Sequence, residues 1–146
     1  MADGSRKDPL SQFNFIIKIQ GVIRAGFTEV SGLTMDTNII EYREGNEITT
    51  VRKLPGLMKY MPVVCKAGIT GDLSLYSWRK TVIDGKTSRV SLSITLLNEA
   101  RQPTLTWNIR EAWPSKYDSG PFNAKTSEAA IETLEITHEG IELASA

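Results

Sequence analysis

Four glutamates near the C-terminal end of the chain, Glu128, Glu132, Glu135 and Glu139, follow one another at intervals of four, three and four residues. On a helix that spacing would align four carboxylates along one face, an arrangement suited to a metal ion or to a pair of catalytic acids. In a strand the same residues divide between two faces, and Ile131, Thr133, Ile136 and Thr137 supply the β-branched side chains that pleated surfaces favour. Whether residues 124–143 are helix or strand therefore decides whether an acidic cluster exists at all.

The other candidate chemistry is thin. Gly85-Lys86-Thr87 resembles the end of a phosphate-binding loop, but Lys80 stands where that motif requires its first glycine, and the triplet follows a helix pattern instead of a strand. It reads as a helix stop. His138 is the one histidine, which excludes multi-histidine zinc sites and most imidazole relays. Cys65 is the one cysteine, so no intrachain disulfide forms, and its neighbours Val63 and Val64 mark it as a buried hydrophobe. Serine-nucleophile, Cys-x-x-Cys, dinucleotide-binding and calcium-loop motifs are absent. Glycoside hydrolysis by two carboxylates requires differently perturbed environments and a cleft, which spacing does not supply, so the glutamates read as solvated. Trp78, Trp107 and Trp113 read as core anchors, because no basic residues interleave with them as a nucleic-acid surface requires. No catalytic residue, cofactor site or metal site emerges.

Composition narrows the partners. At 146 residues the chain has the size of one domain with a real core. Seventeen basic residues balance seventeen acidic ones, so nothing favours nucleic acid or an anionic membrane, and little opposes self-association. The first residues, 1–10, are polar and charged and are expected to be flexible, neither a signal peptide nor a membrane span. Folding in the cytoplasm is the expectation.

The elements that must position these residues read mostly as strands. Phe13, Phe15, Ile17 and Ile19 alternate with Asn14, Lys18 and Gln20, with Ile16 as the exception, and residues 22–30 read as a return strand broken at Gly26, giving a first hairpin. Leu54-Pro55-Gly56-Leu57 reads as a turn before a strand near residues 63–66. One helix is predicted over residues 73–83, with Asp72 as N-cap, Leu75, Trp78 and Val82 on its buried face and Asp84-Gly85 as its stop. Val90, Leu92, Ile94 and Leu96 define the clearest amphipathic strand, paired with a strand carrying Leu105, Trp107 and Ile109. An irregular link from Trp113-Pro114 to Pro121 leads to a last strand with a break at Gly140. The pattern is that of a mainly β protein, a small antiparallel barrel or sandwich with one packed helix.

Residues 34–42 and 48–54, around the turn 43–47, make a further hairpin with polar residues on both faces, which cannot bury much against its own domain. Composition favours a plain solvated hairpin over an arm that docks on another subunit by edge pairing.

An ordered set of motifs changes that preference. Asp8-Pro9, Phe27-Thr28-Glu29-Val30-Ser31-Gly32-Leu33, Ile40-Glu41-Tyr42-Arg43-Glu44-Gly45 and Lys53-Leu54-Pro55-Gly56 come first. Leu75-Tyr76-Ser77-Trp78, Trp107-Asn108, Ala112-Trp113-Pro114 and the closing run from Ile131 through Glu132, Glu135 and Glu139 to Gly140 follow. Together they resemble the tail tube proteins of contractile phages and of extracellular contractile injection systems. The resemblance implies a β-barrel with an associated helix, assembling into sixfold rings that stack into a hollow tube inside a contractile sheath. It implies a strand for the closing segment, and it implies that residues 34–54 are an arm reaching neighbouring subunits, with Asp36, Asn38, Glu41, Tyr42, Arg43, Glu44, Glu47 and Arg52 as its contact residues. The implied partners are further copies of the chain, the sheath protein, baseplate or spike and tube-terminator proteins, and cargo in the lumen. The implied setting is the bacterial cytoplasm and then a phage-tail-like particle. A tube-end adaptor ring and a type VI secretion tube protein of similar fold are the alternatives. Lumen positions are open beyond Ser91, Ser93 and Thr95 as polar candidates, and removing residues 36–52 is expected to leave a folded domain that no longer stacks.

Overall fold

β-branched and aromatic residues recur along most of this chain, and the backbone answers with strands. The computed structural model describes residues 9–10, 14–22, 26–46 and 49–145. In chain order the elements are β1 (Phe15–Ile19), β2 (Phe27–Ser31), β3 (Met35–Tyr42), β4 (Arg52–Tyr60), β5 (Val63–Gly68), α1 (Ser74–Ile83), β6 (Val90–Leu97), β7 (Pro103–Asp118), β8 (Ile131–Thr137) and β9 (Gly140–Ser145). The main sheet runs β1-β6-β7-β8-β5-β2, with β9 also on β7, while among the described residues β3 and β4 pair only with each other. Every ladder is antiparallel. Among the described residues the fold is mainly β, with one helix.

The 16-residue β7 organises the sheet. Its first half lies between β6 and β9, and its second half pairs with β8. Between the pairs Val90–Ala112 and Leu92–Ile109, Arg110 and Glu111 face Ser91 alone, and Glu111 adopts a left-handed φ of 52°. Such a bulge bends a strand and raises its twist, which lets β7 serve both halves. Trp113–Thr137 and Arg110–Gly140 keep one register on β7, so β8 and β9 act as a single long strand interrupted at His138 and Glu139.

Inward positions of this curved sheet form the core: Ile17 and Ile19, Val63 and Cys65, Leu92 and Ile94, Ile109, Leu134, Ile136 and Ile141. Helix α1 adds Leu75 and Trp78, with Trp78 Nε1 donating to the Ser88 carbonyl at 3.2 Å. The helix ends as the sequence indicates. Gly85, at φ 76°, lets Lys86 N donate to Thr81 O at 2.7 Å and Gly85 N to Val82 O at 3.0 Å, the paired bonds of a glycine-terminated helix. Gly85-Lys86-Thr87 is therefore a helix stop.

Several local expectations are corrected. Among the described residues the first hairpin does not form: β1 pairs with β6 and β2 with β5, leaving one bridge between Ile19 and Val22, while residues 23–25 of the expected return strand lie outside the described residues. The alternation in each strand is right, but periodicity does not choose partners. Asn14, expected on the polar face, is buried, and Phe13 lies outside the described residues. The helix starts at Ser74 with Leu73, not Asp72, at the N-cap position, and Asp72 one residue before it still accepts the Ser74 N–H at 2.9 Å. Trp113-Pro114 continues β7 instead of starting an irregular link. Residues 124–130 carry no strand, so the closing strand begins at Ile131.

Candidate assembly surfaces

The β3–β4 hairpin has no buried residue along either strand. Leu54-Pro55-Gly56-Leu57 is not a turn but part of β4, which runs on to Tyr60. Between the pairs Thr37–Met58 and Ile39–Pro55, Gly56 and Leu57 oppose Asn38 alone, making a bulge. A Cβ on Gly56 would sit 2.8 Å from the Asn38 carbonyl oxygen, so glycine permits the close approach of the two backbones. Beyond the bulge, Ile40, Tyr42, Arg52 and Leu54 share one face, and Ile39, Glu41, Lys53 and Pro55 the other, with Glu41 opposite Lys53. Met35, Ile39, Ile40, Tyr42, Leu54, Leu57 and Met58 are all exposed, Leu57 to 78% and Ile39 to 65%.

Among the polar residues the sequence assigned to this hairpin, Asp36, Asn38, Glu41, Tyr42, Arg43, Glu44 and Arg52 are exposed, and Glu47 lies outside the described residues. Asp36 Oδ1 accepts the Thr37 N–H at 2.9 Å. What the sequence reading missed is the apolar content: both faces carry large hydrophobic side chains as well as polar ones. The signal was present in Ile39-Ile40 and Leu57-Met58, obscured because neither pair alternates with polar residues.

The root of the hairpin is fixed. Gly32, at φ 86°, packs against the Pro62 carbonyl, where any Cβ would overlap the oxygen. Met61 N donates to Thr34 O at 3.4 Å. His138 Nε2 lies 3.0 Å from Met61 O, and its ring is 5.7 Å from Tyr60. Burial pushes this imidazole below its ordinary pKa of 6.5, against the opposing effect of the Met61 carbonyl. The lone histidine thus ties the hairpin to the β8–β9 junction.

The glutamate series disperses. Glu128 is exposed outside any strand, Glu132 is buried and accepts the Tyr117 hydroxyl at 2.6 Å, Glu135 faces outward 3.6 Å from Lys116, and Glu139 is exposed. Arg110 Nη2 donates to Glu139 O at 3.1 Å, and its guanidinium lies over Gly140, where a Cβ would come within 2.6 Å. Among the described residues no group of three histidine, cysteine or acidic side chains is placed to hold a metal. Of the tryptophans, Trp78 is in the core and Trp107 packs against it; Trp113 is half-buried and outside it, while its neighbour Pro114 is fully buried. Phe27 packs against the core edge. Cys65 is buried, its thiol pushed up to about 12 by desolvation.

A second surface is the outward face of β1, β6, β7 and β9. Lys18, Ser93, Asn108 and Glu142 are successive cross-strand neighbours on it, and Thr95 and Thr106 share a hydroxyl contact at 3.2 Å one row away. This face is polar and lines a shallow recess with Gln20, Ser91 and Arg110. Among the described residues no helix is long and apolar enough to cross a membrane.

Comparison with curated proteins finds no match. Among solved structures, the chain is similar to one from the cryo-EM structure of the anti-feeding prophage cap, the AFP tube terminating cap, at 25% identity, covering 99% of this chain and 97% of that one with a TM-score of 0.88. It is similar to a chain of the PVC sheath-tube complex in the extended state, an extracellular contractile injection system, at 24% identity, 94% and 93% coverage and a TM-score of 0.85. Hcp1 from Flavobacterium johnsoniae shares the fold more distantly, at 15% identity, 92% and 97% coverage and a TM-score of 0.61. Residues 11–142 match the family model described as T4-like virus tail tube protein gp19, and the chain belongs to that tail tube family.

Proposed function

We propose that this chain is a single structural domain that forms hexameric rings, stacked into the hollow inner tube of a contractile, phage-tail-like injection system. The observation that carries the reading is the β3–β4 arm, a two-stranded sheet that among the described residues joins no other strand yet bears seven large exposed apolar side chains. Exposed apolar surface on that scale calls for a protein partner, and a stacked copy supplies one. Tyr42 belongs to the apolar contact, and Asp36, Asn38, Glu41, Arg43, Glu44 and Arg52 then flank it as a polar rim. Sheath contraction drives the tube, whose own work is stiffness and conduction, so no residue needs to react. The polar face carrying Ser91, Ser93 and Thr95 suits a wetted lumen through which cargo passes.

Sheath, baseplate and terminator proteins are the partners this role requires, and solved relatives come from a sheath-tube complex and a baseplate. The particle is built in the bacterial cytoplasm. Similarity to a chain of a tube terminating cap favours a second reading, a ring that ends the tube. Negative-stain electron microscopy of the purified chain separates the two. Long tubes support the main reading, rings that never stack support the end-ring reading, and monomers at high concentration overturn both. Because Met35 and Tyr60 are cross-strand neighbours, residues 36–59 can be replaced by a two-residue Asn-Gly turn. That variant is expected to fold and to form no stacked tubes; tubes of ordinary length would refute the arm's role.

A further inference from the structure

We propose that Lys18 on β1 and Glu142 on β9 form an ion pair between neighbouring copies of this chain, and that this pair makes the ring close head to tail. The proposal rests on the ring-forming reading above. β1, β6, β7 and β9 lie side by side as four antiparallel strands. Apart from the single bridge between Ile19 and Val22, no strand among the described residues lies beyond β1 or beyond β9. Among the described residues both edges therefore present unpaired backbone groups.

The even number of strands has a geometric consequence. β1 and β9 run in opposite directions, so a copy generated by rotation about an axis along the strands brings its β1 alongside β9 antiparallel, and the ladder continues across the joint. A twofold axis joining two β1 edges, or two β9 edges, would also pair strands antiparallel. Backbone geometry does not choose between these joints; the side chains do.

Lys18, Ser93, Asn108 and Glu142 form one row across the sheet, ending in a cation on one edge and a carboxylate on the other. Within one copy they stand three strand spacings apart, roughly 14 Å, too far to pair. Both are exposed, and neither is in an ion pair among the described residues. When the row continues in register into the next copy, head-to-tail joining sets Lys18 opposite Glu142. Twofold joining sets like charge against like charge, which is unfavourable directly across a ladder. Leu143 points in the same direction. It lies on the core side of β9, opposite Trp107, yet is 49% exposed because the sheet ends there, and a neighbouring β1 would cover it.

The test is charge reversal. Lys18→Glu and Glu142→Lys are each expected to keep the wild-type unfolding temperature as monomers and to raise the concentration needed for ring assembly at least about tenfold. The double variant is expected to assemble again. Single reversals that assemble like wild type, or a folded double variant that does not recover, would overturn the pair while leaving wild-type tubes, and so the tube reading, in place. Failure of the wild-type chain to form any ring would remove the tube reading itself. Oxidation of a Lys18→Cys, Glu142→Cys double variant should give a ladder of covalent oligomers, since antiparallel neighbours lie within disulfide reach. Covalent dimers from either single cysteine variant would show a twofold joint and refute the proposal.

Discussion

Gly32 illustrates how a single residue fixes the origin of the arm. Its φ of 86° and its contact with the Pro62 carbonyl leave no room for a Cβ, whereas Gly21 and Gly85 have similar φ values and open space around them. Gly32→Ala is therefore expected to cost about 3 kcal/mol, and Gly85→Ala about 1 kcal/mol, measured by urea denaturation. Equal effects would show that backbone conformation alone, not the Pro62 contact, sets the cost. Tyr117→Phe removes the donor 2.6 Å from the buried Glu132 carboxylate, and about 2 kcal/mol of stability should go with it. His138 adds a pH dependence of known sign. Burial lowers its pKa below 6.5, so the unfolded chain takes up the proton first. The contribution is fully present above that value and is lost as pH falls below it. His138→Gln retains a donor toward Met61 O and should flatten the fall in stability as pH drops through 6.5 and below. An unchanged slope would assign the fall to other groups.

At the scale of elements, the strands with one buried face were legible in sequence. Val90–Leu97 alternates because its alternate side chains meet a core, and the Asp84-Gly85 stop follows from helix termination chemistry. Pairing of strands adjacent in the chain was legible for β3 with β4 and for β6 with β7, but distant pairing was not, since β1 joins β6 across more than seventy residues of chain and nothing local records it. The glutamates were ambiguous because a four-three-four spacing fits a helix, and only the core-facing run Glu132, Leu134, Ile136 and His138 shows that the period is two. The arm was the hardest to read. Strands that face no core have no reason to alternate, so Ile39-Ile40 and Leu57-Met58 carried no period. That same exposure yields a prediction: Ile39→Ser and Leu57→Ser should change monomer stability by less than about 0.5 kcal/mol while sharply reducing tube formation in electron micrographs. A large loss of stability would mean that the arm already packs within its own subunit.

For the whole molecule, zero net charge, the open edges at β1 and β9 among the described residues and an exposed apolar hairpin describe a subunit whose free surface resembles an interface more than a coat. Folding and assembly should then be linked. In the proposed tube, neighbours bind the native subunit and not the unfolded chain, so mass action should stabilise the fold as protein concentration rises. Each tenfold increase above the assembly threshold should add up to about 1.4 kcal/mol, or about 4 °C in unfolding temperature for a chain of this size. The variant lacking residues 36–59 cannot gain that increment from stacking, so its unfolding temperature should respond less to concentration, retaining only the part due to lateral contacts within a ring. Scanning calorimetry over a hundredfold range of concentration separates the two contributions. A wild-type unfolding temperature independent of concentration, in samples where tubes are visible, would mean that the subunit gains no stability from its neighbours and that the arm and the sheet edges dock without strengthening the fold.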